Sequence, residues 1–142
     1  MSDMIAALQP LLGKPLPQHP SSFGRWLDGI LEKAELGSLT FRFKVREEMR
    51  NPLGVLHGGV ISGIMDDVIG ATLLTSGVYT NFTSINLNVE FIASVKGHEP
   101  EVLATTKVVK QGRRTSNVEC LLTDDSGKLL AKGHSVLINL EQ

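Results

Sequence analysis

From Leu39 the chain alternates strictly. Leu39, Phe41, Phe43 and Val45 are apolar while Thr40, Arg42, Lys44 and Arg46 are polar, the period of a strand with one face on a core and the other in water. The preceding run from Gly29 to Leu36, followed by Gly37-Ser38, reads as a partner strand and a tight connection, although Trp26 to Leu36 also admits a helix. A second alternating block sets Ile85, Leu87, Val89 and Phe91 against Ser84, Asn86, Asn88 and Glu90 and predicts one further half-buried strand. Three more strands are expected over 101–110, 115–123 and 128–139, separated by the turn signals Gln111-Gly112-Arg113 and Asp124-Asp125-Ser126-Gly127.

Between the early pair and the later four lies Gly58 to Ser76, whose length and apolar content predict a single helix with almost no polar face. Such a helix is one that a sheet wraps, and Gly63 and Gly70, seven residues apart on one side, would let that sheet approach closely. The predicted architecture is α+β, a curved antiparallel sheet of about six strands around one long central helix. Residues 1–28, with a short leading helix candidate and the cluster Pro15, Pro17 and Pro20, form an accessory segment, and 29–142 form the domain proper. The edges of so small a sheet invite pairing with a second copy, so a homo-oligomer is expected.

Composition narrows the partners. A chain of 142 residues suits one domain with an adequate core, and the single Cys120 cannot form an intrachain bridge. Fourteen Lys and Arg against fifteen Asp and Glu leave a net charge of −1, which supplies no global field for nucleic acid or an anionic membrane. The amino terminus carries Asp3 before its apolar run and no Lys or Arg before Lys14, so no secretory signal is read and a cytoplasmic location is expected. The most apolar central stretch, Val68 to Tyr79, is too short to span a bilayer. His19, His98 and His134 are too scattered to suggest a zinc set with Cys120, and Gly58-Gly59-x-x-x-Gly63 is not a dinucleotide fingerprint.

Charge distribution is more telling than charge balance. Of the thirty-nine residues from Asn51 to Val89, only Asp66 and Asp67 carry a formal charge, and both fall inside the helix expected to be buried. Buried carboxylates are rare unless paired or set to a task, and adjacent helical residues point about 100° apart, so at most one of the two faces a given pocket. The loop Asn51-Pro-Leu-Gly-Val-Leu-His-Gly-Gly59 runs straight into the helix start, where unpaired N–H groups and a partial positive charge would stabilise an oxyanion. Gly58 or Gly59 lets a substrate reach that backbone. A histidine at a helix start more often caps than catalyses, and an asparagine before proline more often forms a turn.

Taken together, the stretch N-P-L-G-V-L-H-G-G-V-I-S-G-I-M-D resembles the hotdog-fold acyl-coenzyme A thioesterases of the phenylacetate-degradation (PaaI) type, whose motif is an Asn, a Gly, an HGG triplet and an acid nine residues after the His. His57 plus nine is Asp66. The similarity extends through Ser84, the Gly112-Arg113-Arg114 turn and the closing D-x-S-G-K-L-L-A-K-G strand. It implies that Asp66 acts as general base or nucleophile, that Asn51 helps hold the attacking water, that the Gly58 N–H polarises the carbonyl and that His57 orients the helix start. Ser84 would contact the water from the same subunit as the acid, Gly59 would line the substrate site, and Arg113 and Arg114 would meet the phosphates of coenzyme A, although solvated turn charges are an equal reading of that pair. The resemblance further implies a site shared across a dimer, a tetramer built as a dimer of dimers, and no metal or cofactor, coenzyme A being part of the substrate. Asp67 has no counterpart role.

Two rival activities share these residues. Acyl-thioester hydratases and dehydratases of the same fold pair an Asp and a His around an Asn-Pro, but residues 47–50 read Glu-Glu-Met-Arg and His57 lies five beyond Pro52. A non-catalytic acyl-coenzyme A binding or sensing module would use the same helix start without cleavage.

Overall fold

The alternation that begins at Leu39 becomes the second strand of an antiparallel sheet. The computed structural model describes residues 3–16, 19–98 and 100–141, so Pro17 of the proline cluster lies outside the described residues. Two short helices, α1 (Asp3–Leu8) and α2 (Ser22–Leu27), precede β1 (Ile30–Glu35) and β2 (Ser38–Lys44). The long helix α3 (Gly58–Ser76) follows, then β3 (Phe82–Ser84), β4 (Asn88–Phe91), β5 (Glu101–Gln111), β6 (Thr115–Thr123) and β7 (Leu129–Asn139). One sheet runs in the order β1-β2-β5-β6-β7-β3, with β4 also paired to β7. This is the α+β arrangement of a sheet about one long helix.

Register puts the apolar positions on one face. Phe41 pairs Ala104, Ala104 pairs Leu122, and Leu122 pairs Ala131, and all four are buried. Against them α3 packs Ile61, Ile64, Met65, Val68, Ile69 and Leu73. The helix has the expected limits because its ends are signalled chemically: His57 caps the start, and Gly77 leaves it in the left-handed region at φ 76°. By length and mean hydropathy α3 would also qualify as a membrane span, but packing on the sheet accounts for its apolarity.

Polar links cross that apolar seam: Gln111 Nε2 of β5 donates to Ser76 Oγ of α3 at 3.0 Å, and a pair of threonines forms another. The Leu39 N–H donates to Thr106 Oγ1 at 3.0 Å, Thr106 Oγ1 lies 2.5 Å from Thr72 Oγ1, and Thr72 Oγ1 donates to the Val68 carbonyl at 2.7 Å. Thr106 Oγ1 also lies 3.3 Å from the Leu39 carbonyl, so its single proton serves either that oxygen or Thr72. Both threonines are buried.

Three expectations are corrected. The block Ser84 to Phe91 is not one strand: Ser84 pairs Leu137 and Asn88 pairs His134, four residues against three, so an extra residue is bulged out between β3 and β4. Asn86 stabilises the bulge by accepting from Val136 N through Oδ1 and from Ser135 Oγ through its carbonyl, both at 2.8 Å. The bulge gives the sheet seven strands and leaves Ile85 and Phe91 of the apolar stripe 57% and 59% exposed. The glycines of α3 are not where the sheet comes close. A Cβ on Gly63 would meet the Phe23 ring of α2 at 2.5 Å and one on Gly70 would meet nothing within 4 Å, whereas one on Gly133 of β7 would come within 2.4 Å of Met65 Sδ. Finally, the sheet covers one side of α3 only, so the two acids are not both buried: Asp66 is exposed and Asp67 half-buried.

The leading segment is stitched onto this body. Gly13 N donates to the Leu31 carbonyl at 2.8 Å, Gln9 Nε2 donates to the Ala34 carbonyl at 3.0 Å, Pro15 bridges to Ile30, and Ile5 of α1 is buried.

Candidate active site

The loop into α3 is held on both sides. His57 N donates to the Met49 carbonyl at 2.8 Å, Leu56 N to the Val95 carbonyl at 3.2 Å, and the Arg50 guanidinium donates to the carbonyls of Gly54 and Gly97 at 2.7 and 2.8 Å. Asn51 organises the turn: its Oδ1 accepts from Leu53 N and Val55 N at 3.0 and 3.2 Å. This is the turn-forming role open to an Asn before Pro, and it leaves only Nδ2 to act outward. Among the described residues nothing accepts from that nitrogen.

Three of the first four amides of α3 are satisfied locally. Val60 N and Ile61 N both donate to the His57 carbonyl at 3.0 Å, and Gly59 N donates to His57 Nδ1 at 2.8 Å. An accepting Nδ1 assigns the proton of the neutral ring to Nε2, so His57 caps with one nitrogen and presents a donor with the other. Gly58 N–H has no acceptor among the described residues. It is the orphan amide of the helix start, and the exposed Phe91 ring lies 3.2 Å from where a Cβ would stand on Gly58. Sequence reasoning passed over Phe91, although it closes the alternating stripe.

Asp66 stands eight residues further along. Its Oδ1 lies 3.5 Å from the Ser84 hydroxyl, and the two share an open cleft with Ser62, Gly63 and Asn86. At 1.5 Å of rise per residue, Gly58 and Asp66 are about 12 Å apart along the helix axis. One chain therefore holds the orphan amide and the exposed acid too far apart to act on one carbonyl group.

Asp67, about 100° further round the helix, faces the leading segment. His19 Nδ1 accepts from Ser21 N at 3.2 Å, so Nε2 carries the proton and donates to Asp67 Oδ2 at 3.1 Å. Burial pushes the Asp67 carboxyl above the ordinary carboxylate range, and His19 partly opposes that shift. No local signal could have joined two residues 48 apart in sequence.

On the same side an apolar cavity of about 850 Å³ opens between α3 and the leading segment. Asp66, Asp67, Gly70, Ala71 and Leu74 of the helix form one wall, and Met4, Leu8, Leu11, Leu16 and Phe23 the opposite one, so both acids border this cavity, contrary to the expectation that only one of them faces a given pocket. Asp66 thus borders both the polar cleft and the apolar cavity.

Arg113 and Arg114 lie exposed in the β5–β6 turn, which Asn139 fastens from below by donating Nδ2 to the Arg113 carbonyl and N to the Arg114 carbonyl, at 3.2 and 2.8 Å. The Tyr79 hydroxyl donates to the Gly112 carbonyl, which places this turn at the far end of α3. Along the axis that end, Ser76, is about 15 Å from Asp66. Cys120 is buried, and its thiol is pushed up to about 12, so it offers no thiolate nucleophile. Among the described residues no three His, Cys, Asp or Glu side chains converge as a metal site requires.

The comparisons with known proteins agree on the fold and add the family. Residues 53–131 match the model of the thioesterase superfamily. Human acyl-coenzyme A thioesterase 13 is 32% identical over 114 residues, 79% of this chain and 81% of the relative. Among solved structures, the Escherichia coli PaaI protein of the phenylacetic acid degradation operon superposes with a TM-score of 0.79 at 15% identity, covering 86% of each chain. A thioesterase protein of Streptococcus pneumoniae solved with coenzyme A superposes at 0.75 with 20% identity, covering 80% of this chain and 87% of that one. The chain therefore belongs to the thioesterase superfamily and is a thioester hydrolase of the hotdog fold.

Proposed function

We propose that the protein hydrolyses acyl-coenzyme A thioesters at sites completed between two copies of the chain, with Asp66 as general base. The observation that carries the reading is the separation of about 12 Å, along α3, between the unpaired Gly58 N–H and the exposed Asp66. An antiparallel second copy of the helix sets the acid of one chain against the orphan amide of the other, twice, by two-fold symmetry. The exposed apolar edge at Ile85 and Phe91 supports such pairing. Further association of such dimers into a tetramer is part of the same reading.

In this arrangement the Asp66 carboxylate and Asn51 Nδ2 of the opposite chain hold a water, with the Ser84 hydroxyl fixing the carboxylate. The water oxygen bonds to the thioester carbon as Asp66 takes its proton, and the oxyanion rests on Gly58 N–H at the positive end of α3. His57 Nε2–H adds a donor at the same mouth. Collapse of the intermediate breaks the carbon–sulfur bond, and the departing thiolate recovers the proton from Asp66. Gly59, beside Gly58, leaves room for the substrate, and Arg113 and Arg114 suit the phosphates of coenzyme A by their forked geometry. The activity named for the human relative and the coenzyme A held by the pneumococcal protein support this substrate class.

Release of free thiol from a panel of acyl-coenzyme A esters tests the proposal. Turnover that is lost in Asp66→Ala is expected. Tight binding without thiol release would overturn it in favour of a binding module, and hydration of an enoyl ester in favour of a hydratase.

A further inference from the structure

The apolar cavity beside Asp66 owes one wall to the leading segment, from Met4 to Leu16 and from His19 to Phe23, and His19 ties that wall to Asp67 of α3. The surroundings of His19 are built to hold its ring. Ser21 N donates to its Nδ1, and Arg25 Nη1 donates to its carbonyl at 2.7 Å. Gly24, in α2, leaves the space that the ring fills, since a Cβ there would stand 1.9 Å from His19 Cε1. Ser21 meanwhile caps α2 by accepting from Gly24 N at 2.9 Å. Ring, cap and helix are thus one rigid unit with the Nε2–H aimed at Asp67.

We infer that His19 and Asp67 form a latch that holds the leading segment against α3 as the outer wall of the acyl site, so that Asp67 is a positioning residue for the apolar part of the substrate. This rests on the thioesterase reading above. The fold divides the two adjacent acids between tasks: Asp66 faces the polar cleft and Ser84, and Asp67 secures the wall of the cavity that Asp66 borders. The cavity runs along α3 from Asp66 to Thr75, about 13 Å of axis. An extended chain advances roughly 3.3–3.6 Å per three bonds, so that length accommodates about ten carbons lying against Met4, Leu8 and Leu11. An acetyl group would not reach the wall. A latch therefore acts on long acyl groups and spares short ones.

The test compares kcat/KM for decanoyl- and acetyl-coenzyme A in the full chain. His19→Ala and Asp67→Ala should each lower the decanoyl-to-acetyl ratio about tenfold, the effect of leaving two methylene groups in water, mainly through a higher KM. The double variant should lose no more than either single one, and Asp67→Asn, which still accepts from Nε2–H, should recover most of the loss. Equal loss on both esters, additive losses or no recovery in Asp67→Asn would overturn the latch. Hydrogen exchange of peptides within residues 3–16 reads the wall without turnover: faster exchange in Asp67→Ala than in the wild type is expected, and unchanged exchange overturns the proposal. A wild-type protein that releases thiol from no ester would instead overturn the function proposed above, and the exchange measurement would still decide the latch.

Discussion

The Ser84 hydroxyl lies 3.5 Å from Asp66 Oδ1, while the neighbouring Asp67, about 100° further round the same helix, turns its carboxylate to His19. Two successive acids thus occupy unlike surroundings. Asp66→Asn or Asp66→Ala should lower turnover by roughly two to four orders of magnitude, as loss of a general base does. Asp67→Asn should retain most of the activity on short acyl esters, and steady-state kinetics that rank the two variants the other way would move the base to Asp67.

Gly58 sits at the first helical position, where proline is tolerated because that N–H has no partner inside the helix. His57 already has the extended conformation a following proline demands, with φ −65° and ψ 135°. Gly58→Pro deletes that amide and sets a Cβ 3.2 Å from the exposed Phe91 ring, and kcat should fall about 10²–10³-fold, as for other lost oxyanion donors. Circular dichroism should be unchanged.

Mixing two inactive chains tests whether sites are shared. In a symmetric dimer of Asp66→Ala with Gly58→Pro, one site carries both lesions and the other carries neither. An equimolar, freely exchanging mixture should recover about a quarter of wild-type turnover. Sites confined to single chains would recover nothing.

Glycine to alanine should have opposite signs at two positions. At Gly133 the new methyl would stand 2.4 Å from the sulfur of fully buried Met65, and overpacking of this kind costs about 1–3 kcal/mol. At Gly70 it meets nothing within 4 Å and gains helix propensity, a stabilisation of about 0.5–1 kcal/mol. Urea denaturation of the two variants reads both.

The raised pKa of Asp67 makes a directional statement about pH. Between the ordinary carboxylate range and the raised value, the folded chain binds this proton more tightly than the unfolded chain, so its contribution to stability is full at low pH and falls as pH rises through that window. Asp67→Asn removes the dependence. Its stability relative to wild type should improve with rising pH across the window, and a trend of opposite sign in denaturation midpoints would mean that the His19 contact outweighs burial.

Much of the fold was legible because its signals are local. Alternation marked β2, the turn signals at 111–113 and 124–127 separated β5, β6 and β7, and length with apolar content delimited α3. The bulge at 85–87 was hidden because the apolar alternation continues through it unchanged, and only the pairing to β7 reveals the extra residue. The exposure of Asp66 was hidden for a different reason. A helix apolar nearly all round carries no pattern that says which side meets the sheet, so neighbouring acids were read alike. The wall formed by Met4, Leu8, Leu11, Leu16 and Phe23 depends on contacts distant in sequence.

That missing orientation is supplied by directional contacts between helix and sheet, the threonine pair and the Gln111–Ser76 bond. Greasy surfaces slide and roll over one another at little cost, but the Thr72–Thr106 contact is directional and works as a key that stops α3 rotating about its own axis. A roll of one residue step, about 100°, would turn Asp66 away from Ser84 and carry Asp67 off His19. The aim of both carboxylates is therefore set by polar contacts that touch neither.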